Sequence, residues 1–384
     1  MRVSPSSTSS SEPGARDPIT GTPAEHEAPA PALGDAPADD HGGHQVRPVT
    51  HRRNRSVVLW ALGCTAVALL VAELVVRALA PLPANRTWPD AESQFKAEHA
   101  ASVRANGGTE PLIFAGSSVA DTAFDPAVVA EAAGFDGESF NYSQEGSLSS
   151  TTARFLEAAV LDEVDPDTVV LGVYPGDIGA APTNAAALGD ELSRSRGYRL
   201  ASGNPTLGDR IDDAFSRRSD LIAHREILRD PYRLAQWLRT PTTPAFLDAA
   251  TGSLLRHRDA TYTPPDPAGD DGGDELAPIE PEVEAIEDLA DTLASQGKRL
   301  VVVELPVYQP GWDAEAGPEA RRRTHQAMVD VEEAGCAERL DLRSLVQEDR
   351  YWSDAAHVNG EGTEEISRAV GEWLAANPDA PADC

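Results

Sequence analysis

Short apolar runs alternate with amphipathic stretches between residues 109 and 376. Three runs have the length and composition of strands buried on both faces, at Leu112–Ala115, 168–174 and 299–305, and Phe140 belongs to the end of a fourth. Apolar residues at helical spacing predict helices that begin at Pro126 and that cover 151–161, 282–296 and 362–376. This alternation predicts an α/β fold: a parallel sheet with helices on both faces and right-handed crossovers.

Residues 180–280 interrupt this alternation. They contain Arg- and Asp-rich helical patterns at 207–215, 219–228 and 232–239, and then a stretch rich in Pro, Gly and Asp at 261–275. We interpret the segment as an insertion between two strands, partly helical and partly a mobile acidic loop. Insertions at strand ends often shape access to a site, and a solvated spacer is the alternative interpretation.

The amino-terminal part of the chain has a different pattern. Residues 1–55 contain almost no large apolar residue, which predicts a disordered arm. Residues 57–76 form an apolar run that can cross a hydrocarbon core of about 30 Å, and they predict one transmembrane helix over 56–80. Arg52, Arg53 and Arg55 precede the run, which places the arm in the cytoplasm and the rest of a single-pass cell-membrane protein outside. A cleaved signal peptide is the alternative.

The remaining segments follow from these assignments. Residues 81–108 are polar, with a short helical pattern, and predict a stalk between the membrane and a domain over 109–376, which 377–384 follow as a tail. Outside the cell Cys336 and Cys384 would meet oxidising conditions, so a disulfide between them is one possibility and two free thiols are the other.

The charge of the chain excludes some partners. The net charge is −31, and Lys96 and Lys298 are its only lysines. A surface this acidic argues against nucleic acid or anionic lipid headgroups as the main partner. The three cysteines form no Cys-x-x-Cys pair, and no His/Cys cluster indicates a zinc site.

Two motifs at opposite ends of the domain carry candidate chemistry. Gly116-Ser117-Ser118 follows the first strand, and Asp354-Ala355-Ala356-His357 precedes the last helix. An aspartate three residues before a histidine can bind Nδ1 and leave Nε2 free to accept a proton, and a serine hydroxyl needs such a base to act as a nucleophile. The alternative for Ser117 or Ser118 is a helix cap, and for Asp354 and His357 a loop hydrogen bond.

These motifs resemble the SGNH/GDSL hydrolase superfamily over residues 112–376. The family carries its nucleophilic serine in a Gly-Asp-Ser turn after the first strand, so the resemblance implies Ser118 as the nucleophile. Its Asp-x-x-His signature matches Asp354 and His357. Its second block matches at Gly146, whose amide would form an oxyanion hole with that of Ser118. The resemblance also implies a flavodoxin-like three-layer fold, and neither a cofactor nor a metal.

One block departs from the family pattern. The family carries Gly-x-Asn-Asp after its third strand, and the asparagine completes the oxyanion hole. This chain has Gly172-Val173-Tyr174-Pro175-Gly176-Asp177, without an asparagine. The amide of Gly176 or the hydroxyl of Tyr174 is the candidate replacement, and loss of one donor can cost about 10²–10³ in rate.

The resemblance extends to membrane-tethered relatives with this Gly-Ser-Ser form. It implies an extracytoplasmic serine esterase or O-acyltransferase acting on acyl groups, with acetyl as the candidate, of cell-envelope glycans. The altered third block leaves a second hypothesis open, a non-catalytic surface or assembly protein that binds glycan. Metal binding by Asp121, Asp125 and Asp177 is a third idea, disfavoured because scattered carboxylates are usually solvated or cap helices.

Overall fold

A computed structural model describes residues 52–78, 84–179, 186–239, 247–255, 257–260, 278–308 and 317–378. The arm before residue 52, the Pro/Gly/Asp-rich stretch at 261–275 and Cys384 lie outside the described residues, so the disulfide to Cys336 stays a prediction. The chain divides into two units, residues 1–62 and 63–384. In the described part the first unit contains the start of one helix, and the second contains every other element.

Five parallel strands form the sheet. They are β1 (Leu112–Ala115), β2 (Ser139–Asn141), β3 (Thr168–Val173), β4 (Arg299–Glu304) and β5 (Glu338–Asp341). Their order is β2-β1-β3-β4-β5, and each neighbouring pair is parallel. This is the flavodoxin-like order, which places a site at the carboxyl ends of the strands near the β1/β3 switch point. Residues of β1 and β4 are all buried, which agrees with the apolar runs Leu112–Ala115 and 300–303 in their sequences.

The helices are α1 (Arg52–Ala78), α2 (Ala91–Ala105), α3 (Ser118–Ala123), α4 (Pro126–Ala133), α5 (Ser149–Ala159), α6 (Leu161–Val164), α7 (Ala186–Arg194), α8 (Arg196–Ala201), α9 (Leu207–Ser216), α10 (Asp220–Ala223), α11 (Arg225–Arg229), α12 (Pro231–Arg239), α13 (Glu280–Ser295), α14 (Gly317–Ala334) and α15 (Gly360–Ala376). Around the sheet they form two groups, because α4 packs on α15, whereas α13 packs on α5 and α14. With right-handed crossovers these groups lie on opposite faces. The predicted α/β fold with helices on both faces is therefore confirmed.

Strand β5 and the helix before it, α14, are among the elements that the sequence did not predict. β5 is an edge strand with the sequence Glu-Arg-Leu-Asp and only partial burial, so it has no apolar run. The preceding helix α14 buries Ala320, Ala327 and Met328 among many charged residues. Both elements are amphipathic with small apolar faces, and for that reason their pattern is weak in the sequence.

The segment predicted as a stalk is built into the domain. Helix α2 contributes Ala97, Ala100 and Val103 to the main apolar core. Before it, Trp88 meets the Phe155 ring edge-on at 5.3 Å. Asn85 Nδ2 donates a hydrogen bond to Ile222 O, in the insertion, at 2.7 Å. Residues 84–105 therefore belong to the folded body, and the assignment of 81–108 to a stalk does not describe them.

Helix α1 is the one described helix that is long and apolar enough to cross a membrane, from Arg55 to Ala78. Its large apolar side chains are exposed from Val57 to Val75. A helix that is apolar on every side is typical of a membrane span.

The insertion is helical over most of the part that the structure describes. Helices α7 to α12 occupy 186–239, and a short antiparallel bridge joins Leu247 to Leu254. After that bridge the chain brings His257 to the rim of the sheet, where its ring stacks on His357.

Candidate active site

Gly116 makes the turn that presents the two serines. Its φ is 146°, and a Cβ atom there would lie 2.4 Å from Ala120 Cβ and 2.6 Å from Gly172 O, so a side chain does not fit. Ser117 then caps α3, because its Oγ accepts a hydrogen bond from the N–H of Val119 at 3.2 Å. Ser118 is the first residue of α3. The capping role considered for this pair of serines therefore belongs to Ser117.

The last helix, α15, packs beside α3, which follows β1, and this places the loop that contains His357 near the serines. Thr363 Oγ1 donates to Thr122 O at 2.7 Å, and Ser367 Oγ donates to Ala123 O at 3.2 Å. Along the same contact Gly371 lies so close to α4 that a Cβ would be 2.6 Å from Val129 O. These contacts hold the start of α15 beside α3, and the loop that contains His357 directly precedes α15.

The result is a hydrogen-bonded chain of serine, histidine and aspartate. His357 Nε2 is 2.9 Å from Ser118 Oγ, and His357 Nδ1 is 2.9 Å from Asp354 Oδ2. These are the relations that a serine nucleophile, its general base and an orienting carboxylate require. The three residues singled out from the sequence thus lie together, although 239 positions separate Ser118 from His357.

Asp354 is held as a carboxylate. Burial raises its pKa, but the hydrogen bonds and charge of His357 and the N–H of Ala356 outweigh burial and lower the pKa well below its usual range. Its Oδ1 accepts the N–H of Ala356 at 2.9 Å and that of His357 at 2.7 Å. The carboxylate can therefore fix the Nδ1–H tautomer of His357 and stabilise the imidazolium.

A cleft of about 450 Å³ opens beside Ser118 and His357. Gly146, Tyr174 and Gly176 line it as well. Among the described residues, the N–H groups of Ser118, Gly146 and Gly176 donate to no other protein group. The candidate oxyanion donors thus share one cleft with the serine, and both candidates for replacing the asparagine, Gly176 and Tyr174, border it.

A buried ionic cluster supports the loop that carries Gly146. Lys96 Nζ is 2.8 Å from Glu92 Oε1 and 3.0 Å from Asp121 Oδ2, and it also donates to Ser143 O. Glu92 Oε2 accepts the N–H of Glu145 at 3.0 Å. Burial and the neighbouring Glu92 carboxylate raise the pKa of Asp121 well above its usual value, and Lys96 offsets this only partly.

Asp177 lies between Gly176 and the cap of α3. Its Oδ2 accepts the N–H of Tyr174 at 2.9 Å, and the carboxyl is hydrogen-bonded to Ser117. Burial raises the pKa of Asp177 to about 7, and the nearby Glu282 acts in the same direction, against the two hydrogen bonds. Asp177 is thus a buried carboxyl that titrates near neutral pH at the edge of the cleft.

Sequence reasoning did not find His257. Its ring stacks on that of His357 with centroids 4.5 Å apart, and its Nδ1 is 2.8 Å from Ser353 Oγ. It reaches the site from the insertion, 100 residues before His357 in the chain, and no motif surrounds it. The only signal was its place within an insertion between two strands, which is a common source of site residues.

Two groups of side chains in the described part of the chain have ligand atoms close enough to hold a metal ion. The first is His257, Asp354 and His357, where the hydrogen bond to Asp354 already uses His357 Nδ1. The second contains Glu304, whose carboxylate is already paired with Arg339 at 2.8 Å and with Arg343 at 3.0 Å, next to His325 and Asp341. Neither group indicates a metal centre.

The three carboxylates considered as metal ligands from the sequence make separate contacts. Asp121 belongs to the buried ionic cluster, Asp125 pairs with Arg258 at 3.1 Å, and Asp177 binds the N–H of Tyr174.

No protein-family model and no curated protein matches the sequence. The structure is similar to a GDSL-like lipase from Bacteroides thetaiotaomicron, with 12% identity, a TM-score of 0.37 and coverage of 74% of this chain and 100% of that one. It is also similar to a carbohydrate acetylesterase family member from Sinorhizobium meliloti (12% identity, TM-score 0.32, 68% of this chain and 96% of that one). A third similar structure is the aryl esterase of M. smegmatis (10% identity, TM-score 0.33, 70% and 99%). At these values the likeness says nothing about activity or substrate.

Proposed function

We propose that this chain is a serine esterase or O-acyltransferase, anchored in the cell membrane by α1, that acts on acylated glycans of the cell envelope. The observation that carries the proposal is the 2.9 Å approach of His357 Nε2 to Ser118 Oγ, with Asp354 on the other ring nitrogen. An orienting carboxylate, a base and a hydroxyl in this order, beside an open cleft, have the geometry of acyl transfer.

In the proposed reaction Ser118 Oγ attacks the ester carbonyl while His357 Nε2 takes the hydroxyl proton. The N–H groups of Ser118, Gly146 and Gly176 hold the oxyanion. His357 then gives the proton to the departing sugar oxygen, which leaves an acyl group on Ser118. Water, for hydrolysis, or a sugar hydroxyl, for transfer, then attacks the acyl carbon and loses its proton to His357. The bond between the acyl group and Ser118 Oγ breaks, and His357 returns the proton to Ser118.

The location supports an envelope substrate. Arg52, Arg53 and Arg55 lie at the start of α1, before its apolar run at 57–76, which favours a cytoplasmic amino terminus and an external domain. The acylated glycan, with acetyl as its candidate acyl group, rests on the resemblance to membrane-tethered members of the SGNH/GDSL superfamily.

Adjacent serines provide the test. Ser118→Ala is expected to abolish labelling by a fluorophosphonate probe and to lower the turnover of p-nitrophenyl acetate by ~10⁴-fold or more. Ser117→Ala is the matched control: it should keep the labelling and lose about 1 kcal/mol of stability, because Ser117 caps α3. Labelling and turnover are measured on the detergent-solubilised full chain, and the labelled peptide is mapped by mass spectrometry. Unchanged labelling of Ser118→Ala would refute the assignment.

A second candidate function is glycan binding without catalysis. The observation that favours it is the sequence Tyr174-Pro175-Gly176, which stands where the family has its oxyanion asparagine. A natural chain that binds envelope polysaccharide but does not react with the fluorophosphonate would support this alternative.

A further inference from the structure

Helix α9 of the insertion exposes an apolar stripe. Leu207, Ile211 and Phe215 are spaced four residues apart and lie on one side of the helix, with exposed fractions of 75%, 49% and 57%. A helix on the surface of a soluble domain normally turns such a stripe toward the core. Helix α9 instead turns its apolar stripe toward the solvent.

The acidic side of α9 is the one that faces the protein. Arg199 holds Asp209 with Nη2 and Oδ1 2.7 Å apart, and Arg225 holds Asp212 at 2.8 Å. Arg196 also pairs with Asp212. These arginines lie in α8 and α11, on either side of α9 in the chain. Ion pairs thus fix the rotation of α9 and keep its apolar stripe directed outward.

The carboxyl end of α9 is tied to the end of α1. The N–H of Ser219 donates to Phe215 O at 3.0 Å, and the Ser219 hydroxyl donates to Glu73 Oε2 at 2.8 Å. The N–H of Asp220 donates to Glu73 Oε1 at 2.9 Å, and Arg77 Nε is 3.1 Å from Asp220 Oδ2. Phe215 is therefore one hydrogen-bonded turn from a residue that contacts the last part of the apolar helix.

We propose that the stripe of Leu207, Ile211 and Phe215 lies in the external membrane–water interface, as a second membrane contact beside α1. Glu73 is three residues before the apolar run ends at Val76, about 4.5 Å along the helix, so its partners lie at the boundary of the hydrocarbon. The occupant is the lipid surface because α1 passes through it at this point. This inference rests on the anchoring part of the proposed function.

The contact is apolar. Of the exposed arginines of α9 and its carboxyl end, Arg210, Arg217 and Arg218, Arg217 is paired with Asp213 at 2.9 Å. Interfacial helices of this kind bury an apolar face by about 5–10 Å at the headgroup boundary. A vesicle of neutral phosphatidylcholine is therefore a sufficient probe.

The test places a fluorophore on single cysteines of the full chain in phosphatidylcholine vesicles, with Cys64, Cys336 and Cys384 replaced by serine. Ile211→Cys and Phe215→Cys report on the stripe. Arg210→Cys is the matched control, since it is exposed on the same helix and points about 100° away from Ile211. Val67→Cys, in the middle of α1, reports on anchoring. Quenching is measured with lipids that carry a nitroxide near the headgroup or deep in the acyl chain.

We expect the shallow nitroxide to quench the labels at 211 and 215 by about twofold or more over the label at 210, and the deep nitroxide to quench the label at 67. Quenching at 67 without extra quenching at 211 and 215 would overturn the interfacial contact and leave the anchoring intact. Absence of quenching at all positions would overturn the anchoring as well. Labels at 211 and 215 that are shielded from aqueous iodide but not quenched by lipid would show that a second protein copy covers the stripe, which also overturns the inference.

Discussion

Asp177 is a buried residue near the site whose charge depends on pH in the neutral range. Burial raises its pKa to about 7, from an ordinary value of 3.8. The folded chain therefore binds this proton more tightly than the unfolded chain does. The stability that results is fully present below about pH 4 and is lost as the pH rises through 7.

We therefore expect the free energy of unfolding of the natural chain to decrease by about 2–3 kcal/mol between pH 5 and pH 8. In Asp177→Asn this decrease should be absent, because an amide does not ionise. The measurement is denaturant unfolding of the detergent-solubilised chain at pH 5, 6, 7 and 8. Ser117→Ala serves as a control that removes a hydrogen-bond partner of Asp177 without removing the carboxyl. The same loss in Asp177→Asn as in the natural chain would show that another group is responsible.

At the scale of single residues, the sequence predicts contacts between side chains that lie a fixed, short distance apart in the chain. It does not predict contacts between side chains that only the fold brings together. Asp354 and His357 are close in the chain, so their hydrogen bond follows from local geometry. His257 reaches His357 only through the insertion, and Lys96 reaches Asp121 only through the packing of α2. Both contacts join residues that nothing in their own sequence neighbourhood connects.

Among the elements, α2 links the segment after α1 to the loop that carries Gly146. Its Lys96 is fully buried between Glu92 and Asp121, and Glu92 holds the N–H of Glu145 next to Gly146. A buried cation with two carboxylate partners contributes to the position of the loop as well as to stability. Removal of one member leaves buried charge without a partner.

The only other lysine offers a direct comparison. Lys96→Met is expected to lower the unfolding free energy by about 3–5 kcal/mol, because Glu92 and Asp121 lose their cation. Lys298→Met should cost less than about 1 kcal/mol, because its partner Asp165 is largely exposed. Thermal unfolding of both variants measures the difference, and fluorophosphonate labelling should slow in Lys96→Met alone. Equal melting temperatures for the two variants would contradict an integral role for α2.

The predicted elements show which patterns are informative. Strands β1, β3 and β4 are buried on both faces and therefore carry apolar runs, at Leu112–Ala115, 169–173 and 300–303, so the sequence predicts them within a residue or two. Helix α2 was read as part of a stalk because its buried residues include Glu92, Ser93 and Lys96, which are polar by type but paired in the core. Edge strand β5 had no apolar run to detect.

At the scale of the whole molecule, the proposed function requires one particular orientation of the chain across the membrane. Ser219 and Asp220 bind Glu73 near the carboxyl end of α1, so the insertion and the apolar helix meet on one side of the proposed membrane span. An acyl group on an envelope glycan is reached only if that side is outside the cell. The orientation of the chain is thus a condition for the proposed substrate.

We expect an external protease added to intact cells stripped of their wall to digest the domain at 109–376 and to leave a tag fused before Met1 intact, because the Arg-rich flank retains the arm inside. Immunoblotting for the tag measures this, and detergent lysis before protease is the control in which the tag must disappear.

Replacing Arg52, Arg53 and Arg55 with glutamate should increase the fraction of chains in which the protease reaches the tag, since these are the charges immediately before the apolar run. Loss of the tag from natural chains in intact cells would place the arm outside and the serine inside, away from any envelope glycan. A mature domain that starts after Ala80 would indicate a cleaved signal peptide and would remove the anchor from the proposal while leaving Ser118 and His357 untouched.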